Sequence, residues 1–165
     1  MSSTPERPRA RAAVLTISDS SAKGTRQDLS GPAVERTLLE HGFEVVVTEI
    51  VPDERNQIER ALLRLAAQAP LVVTTGGTGI GPHDVTPEAT RGVCDRLVEG
   101  VPERMRAEGA KHTPMAALSR ALCGIAGESV ILNLPGSPTA AVESLMAVIE
   151  ILPHALDLAR GKTGH

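Results

Sequence analysis

Hydrophobic residues fall into four short, β-rich runs separated by segments with a helical repeat. The runs are residues 12–17 (AAVLTI), 44–50 (EVVVTEI), 71–75 (LVVTT) and 129–134 (SVILNL). The first, third and fourth are almost unbroken, the pattern of parallel strands covered on both faces. The second alternates less cleanly, which predicts a place nearer an edge. Between the runs, Ile58, Leu62, Leu65 and Ala66 recur at helical spacing and predict one apolar helix face over residues 56–69. Residues 32–41 predict a helix with Pro32 near its start and Gly42 at the C′ position. Thr86-Pro87, Thr113-Pro114 and Ser137-Pro138 each read as an N-cap followed by a proline in the first turn. They predict a helix carrying Val93 and Leu97, another over 115–123 stopped by Gly124, and a long third that Pro153 kinks or ends.

Strands alternating with helices predict an α/β fold: a single three-layer, doubly wound domain with a mostly parallel sheet. It should span residues 11–160, with a disordered tail over 1–10 and a frayed end over 161–165.

Composition narrows the function. The 165 residues are 41% hydrophobic and 22% charged, which suits one domain with a proper core and excludes a disordered chain. Phe43 is the sole aromatic residue, so the core must be aliphatic, and bases have no platform to stack on. The net charge of −3 also argues against nucleic acid as a partner. Cys94 and Cys123 form no CxxC motif and read as reduced, buried thiols. Residues 1–11 lack the apolar stretch of a signal peptide, and no apolar run reads as long enough to span a bilayer. A cytoplasmic protein without membrane contact is expected.

Ligands of such folds bind beyond the carboxyl ends of the strands. There each strand runs into an unusual segment: Ser18-Asp19-Ser20, Val51-Pro52-Asp53-Glu54, the glycine-rich stretch 76–82, and Pro135-Gly136-Ser137-Pro138. Glycines at 76, 77, 79 and 81 suit a backbone that takes positive φ or lies against a ligand, and free N–H groups in such a loop can cradle phosphate. A tight strand-to-helix connection explains the loop alone equally well. It is neither a Walker loop, since Pro82 follows Gly81, nor a dinucleotide fingerprint, since Asp84 falls where the last glycine would. Asp84 is either a loop aspartate in water or, beside phosphates, a carboxylate that needs a bridging cation, for which Mg2+ is the natural choice. Asp53 can serve the same site or cap the helix that begins near Glu54. The helix start at Ser137-Pro138 offers N–H groups to a second anion, and Arg120 matters only if its helix end faces the site. His83 lacks a partner at metal-ligand spacing.

Thr74-Thr75-Gly76-Gly77-Thr78-Gly79, Asp84-Val85-Thr86-Pro87-Glu88, Leu118-Ser119-Arg120 and Asn133-Leu134-Pro135-Gly136-Ser137-Pro138 together resemble the molybdopterin-binding, molybdopterin adenylyltransferase family. The early Ser18-Asp19-Ser20 and the 51–54 segment fit its order, and the resemblance covers residues 11–158. It implies a nucleotidyltransferase of molybdenum cofactor biosynthesis that moves AMP from ATP, with Mg2+, onto molybdopterin and releases pyrophosphate. Asp53 and Asp84 would be catalytic, with Asp84 holding the metal. Gly76, Gly77, Thr78 and Gly79 would bind the nucleotide phosphates. Ser119, Arg120, Asn133, Pro135, Gly136 and Ser137 would line the molybdopterin pocket. A homotrimer and hand-off to a molybdenum-insertion protein also follow from the resemblance. Two rivals stand beside this reading: a non-catalytic molybdopterin carrier or scaffold, and a nucleotide-recycling hydrolase relative.

Overall fold

The structure, a computed structural model, describes residues 8–162. Six strands form one sheet in the order β2-β1-β3-β6-β5-β4. β1 (Ala10–Ile17), β2 (Phe43–Val51), β3 (Leu71–Thr75) and β6 (Ser129–Leu134) run parallel. β5 (Cys123–Ala126) is antiparallel to β6, and the two-residue β4 (Arg96–Leu97) is antiparallel to β5. β2 lies at the edge, as its weaker apolar pattern predicts.

Side chains alternate across the strands and so build two cores. Ala12, Val14, Leu71, Val73, Leu132 and Leu134 face α2 (Ser30–Glu40), α5 (Gly100–Gly109), α6 (Pro138–Val148) and α7 (Leu152–Ala159). Ala13, Leu15, Ile17, Val72 and Ile131 face α3 (Arg55–Ala66) and α4 (Thr86–Val93). Helices therefore cover both faces of the sheet, giving three layers. The expected face of α3 is the buried one: Ile58, Leu62 and Leu65 are fully enclosed, each contributing about 1.5–3 kcal/mol of burial. Phe43 is buried at the start of β2.

Five expectations need correction. The helix over 115–123 is a 3-10 turn, Pro114–Leu118, after which the chain extends into β5. Thr113 does cap that turn, accepting the Met115 amide. Gly124 is no helix stop. It lies in β5, where the Cys94 sulfur sits 2.6 Å from the position a β-carbon would take. Leu97 belongs to β4, not to α4. The cap of α4 is Val85, which frees the Thr86 hydroxyl for another partner. Finally, the near-continuous helical stretch Pro138–Ala159 is long and apolar enough to cross a membrane by length and composition. Here only its inward face is core: Ala141, Leu145, Val148, Leu152 and Leu156 belong to the buried cluster on this side of the sheet, while Met146, Ile151 and Leu158 are exposed. A 3-10 turn at Ile149–Ile151 interrupts it, and Pro153 sits in the first turn of α7, where its missing N–H costs nothing. Of the expected tails, residues 1–7 and 163–165 lie outside the described residues.

Candidate functional site

Because β1, β2, β3 and β6 are parallel, their carboxyl ends share one edge of the sheet. β5 is antiparallel, so its entry segment, residues 119–122, reaches the same edge. The chain then ties these segments together. Ser18 donates its amide to the Val51 carbonyl at 2.9 Å, joining the turns after β1 and β2. Asp19, in α1 (Asp19–Ala22), and Asp53 accept each other's backbone amides. Gly76 donates to the Leu134 carbonyl at 3.1 Å, joining the turns after β3 and β6.

The glycines of the loop are explained by close approach. Gly76 and Gly77 have φ of +94° and +68°. A β-carbon on Gly76 would lie 2.2 Å from the Ile17 carbonyl oxygen, and one on Gly77 would lie 2.2 Å from Thr86 Oγ1 and 3.2 Å from Asp53 Oδ1. The Thr86 hydroxyl donates to the Gly76 carbonyl at 2.9 Å, and its amide to the Gly77 carbonyl at 3.1 Å. Asp84 folds back over the loop, and its Oδ2 accepts the Gly81 amide at 2.9 Å. The amides of Gly77, Thr78 and Gly79 have no acceptor among the described residues, although Thr78 is buried. Three backbone donors without acceptors, on a glycine-rich stretch, are available to anionic oxygens.

Two carboxylates lie against these glycines, Asp53 beside Gly77 and Asp84 beside Gly79 and Gly81. Burial pushes the Asp53 carboxyl above its ordinary range, and the charges of Asp19 and Asp84 add to this; the Asp19 amide and His83 only partly offset it. Asp53 is not the cap of α3. Glu54 is, accepting the amides of Asn56 and Gln57, so the Asp53 side chain is left for the site. Among the described residues no three His, Cys, Asp or Glu side chains group closely enough to cage a metal.

The remaining candidates separate. Gly136 packs on the loop, its β-carbon position lying 3.3 Å from the Gly76 Cα. Pro135 is half-buried beside it, and the exposed Ser137 caps α6 by accepting the Ala140 amide. Asn133 is fully buried beneath the edge rather than at it. Its Nδ2 donates to Thr74 and Thr90, and its Oδ1 accepts the Leu122 amide. Ser119 turns its hydroxyl back to the Ala121 amide. The Arg120 side chain is occupied by the glycine loop itself: Nε donates to the Gly79 carbonyl and Nη2 to the Asp84 carbonyl, both at 2.7 Å. His83 is exposed. Asp19 stands out in the sequence only as part of a polar segment. A signal for it exists, because it lies two residues past Ile17 as Asp53 lies two past Val51, and those residues pair in the sheet.

With this geometry in view, comparison with known proteins is decisive. Residues 13–154 match the protein family described as a probable molybdopterin binding domain. The chain belongs to that family. Among relatives in the family, a molybdopterin adenylyltransferase of Helicobacter pylori (strain J99) is 44% identical over 152 residues, covering 90% of this chain and 86% of that protein. The molybdopterin adenylyltransferase of Escherichia coli K12 is 41% identical over 143 residues, covering 84% of this chain and 73% of that one. The crystal structure of a molybdopterin biosynthesis enzyme, MoaB, from Thermus thermophilus superposes with a TM-score of 0.87 at 49% identity, covering 93% of this chain and 98% of that one.

Proposed function

We propose that this chain adenylates molybdopterin, using ATP and releasing pyrophosphate. The observation that carries the reading is the set of loop amides at Gly77, Thr78 and Gly79 without acceptors, flanked by Asp53 and Asp84. In sheet order, the turns after β1 and β2 lie on one side of the β3 loop, and the turn after β6 and segment 119–122 lie on the other. That arrangement supports two substrates meeting over the loop. The nucleotide takes the side of Asp19 and Asp53, and the pterin takes the side of Ser119, Pro135, Gly136 and Ser137.

The chemistry needs placement and charge control more than covalent help. A terminal phosphate oxygen of molybdopterin bonds to the α-phosphorus as the bond from that phosphorus to the bridging oxygen breaks, and pyrophosphate carries the electron pair away. The loop amides hold the phosphate oxygens in line without reorganising. Asp53 Oδ1 and Asp84 Oδ1, which have no donor among the described residues, fit a divalent cation that takes one or two carboxylates and completes its shell with phosphate and water. Mg2+ held there would neutralise charge on the phosphates. No side chain forms a covalent adduct in this scheme. The reducing cytoplasm as its compartment is supported by two free thiols. A homotrimer passing its product to a molybdenum-insertion protein belongs to the same proposal.

The test is pyrophosphate release from purified protein, molybdopterin, ATP and Mg2+, with Asp84→Asn as control. Release that needs both the pterin and Asp84 supports the adenylyltransferase. Pterin binding with no release would replace it with a carrier. A size-exclusion mass of one chain would remove the trimer.

A further inference from the structure

We infer that Arg120 is a positioning residue that holds the glycine loop and Asp84 in their working geometry, and that its guanidinium is not a pterin ligand. The inference deepens the adenylyltransferase reading and rests on it for its kinetic consequences.

The contacts span both ends of the loop. The Arg120 backbone amide donates to the Thr78 carbonyl at 2.7 Å. Nε reaches the Gly79 carbonyl and Nη2 the Asp84 carbonyl. Nη1 pairs with the Glu88 carboxylate in the first turn of α4. The backbone amide thus holds the loop at Thr78, and the planar fork ties Gly79, the end of the loop at Asp84 and the helix beyond it. Three of the five guanidinium N–H donors already have protein acceptors, so the head group is oriented by the loop rather than free to follow a substrate phosphate. The acceptors are also specific to a fork: a lysine keeps the charge but cannot serve carbonyls and a carboxylate lying in three directions.

Glu88 shows what the brace does. Its Oε2 is buried and lacks a hydrogen-bond partner, so the carboxylate depends on Arg120 through Oε1. Burial alone would push the Glu88 carboxyl up, but the Arg120 hydrogen bond, the helix backbone and the charges of Arg120 and Arg55 together hold it below the usual range. Arg106 of α5 steadies the same segment, donating to the carbonyls of Ser119 and Ala121 at 3.3 and 3.2 Å. The loop that carries the anion-binding amides thus takes its shape from the strand-entry segment across from it.

The experiment compares Arg120→Lys and Glu88→Gln with wild type by hydrogen–deuterium exchange over residues 76–84, by pterin-fluorescence titration and by steady-state kinetics. For Arg120→Lys we expect at least ten-fold faster exchange at the Gly81 and Asp84 amides, a ten-fold or greater fall in kcat with a raised KM for ATP, and a pterin Kd within two-fold of wild type. Glu88→Gln keeps an acceptor for Nη1, so its effects should be smaller in every measurement. If Arg120→Lys does not fold, Glu88→Ala takes its place in the same three assays. A loop that stays protected, or a pterin Kd that rises ten-fold while kcat holds, overturns the inference. Loop exchange needs no turnover: a loosened loop in a protein whose wild type releases no pyrophosphate sinks the adenylyltransferase and leaves the brace standing.

Discussion

Asp19 and Asp53 each accept the other's backbone amide, Asp53 N to Asp19 Oδ1 at 2.9 Å and Asp19 N to Asp53 Oδ2 at 3.0 Å. This closed ring locks the turn after β1 to the turn after β2, and it does so by bringing two carboxylates together. The ring fixes where Asp53 points while its environment penalises its charge. Function and stability therefore pull in opposite directions at this residue.

The pH dependence of Asp53→Asn follows from that conflict. Asp53 titrates above its ordinary value of 3.8 in the folded protein, so its contribution to stability is fully present below that value and is lost as the pH rises through the higher native one. An asparagine does not titrate, yet its amide oxygen can still accept the Asp19 amide. Without divalent cation, the melting temperature of Asp53→Asn should therefore gain on wild type as the pH rises from about 3 to about 7. Adenylyl transfer should meanwhile fall by about a hundred-fold or more, as expected for loss of a pre-placed charge. Melts that track each other across the pH range would show that the carboxylate is not under this penalty.

The sheet and the site edge are legible in the sequence because their signals are local. Unbroken apolar runs at 71–75 and 129–134 admit little other than strands covered on both faces, and the Gly, Pro and Asp residues after them mark where those strands end. The segment after Thr113 departs from its predicted helix for a physical reason. The cap is real, and Ala116, Ala117, Leu118 and Ala121 favour helix, but distant partners decide the outcome. Arg120 N bonds to Thr78 O, and Leu122 exchanges hydrogen bonds with Asn133, which draws residues 119–122 out into extended chain. The helix α5 gives little signal, since it begins and ends in glycine and buries only Val101, Pro102 and Met105. The Asp19–Asp53 ring and the Arg120 fork need the fold itself, because each joins residues more than thirty positions apart.

Asn133 is a test of what is site and what is foundation. Its side chain serves the Thr74 and Thr90 hydroxyls and the Leu122 amide in a fully buried position. Asn133→Leu would strand those groups, and each buried polar group left unpaired costs about 1–3 kcal/mol. We expect a loss of at least about 2 kcal/mol, or roughly 4–8 °C in melting temperature for a domain of this size. Residual folded protein should bind molybdopterin as wild type does. Weakened pterin binding with unchanged stability would return Asn133 to the pocket.

The thiols should be inert. Burial, with the Asp95 charge beside it, pushes the Cys94 thiol up to about 11, and burial together with Cys94 pushes Cys123 up to about 12. At pH 8 the thiolate of Cys94 is then only about one part in a thousand, and thiolate is the reactive form. The two residues also belong to cores on opposite faces of the sheet. Native protein treated with iodoacetamide at pH 8 should show almost no mass increase over an hour, with full labelling once it is denatured. Rapid native labelling, or loss of turnover in a Cys94→Ala, Cys123→Ala variant, would contradict the scheme without covalent intermediates.

Gly77 carries the sharpest prediction for the anion cradle. Its φ of +68° costs any residue with a β-carbon about 1–2 kcal/mol. A methyl group there would also displace the Thr86 hydroxyl, which holds the Gly76 carbonyl, and would press toward Asp53 Oδ1. Gly77→Ala should therefore lose about 2–3 kcal/mol of stability, strain and a broken hydrogen bond together. Gly77→Val should lose more, and both should weaken ATP binding by filling the cradle. Gly76→Ala is the harsher change, because the obstacle at 2.2 Å is the main-chain carbonyl of Ile17, which cannot turn aside as a hydroxyl can. Chemical denaturation and ATP titration of the three variants would rank them. If Gly77→Ala is destabilised yet keeps wild-type ATP affinity, the glycine serves the Thr86 contact alone, and the nucleotide phosphates must sit elsewhere along the edge.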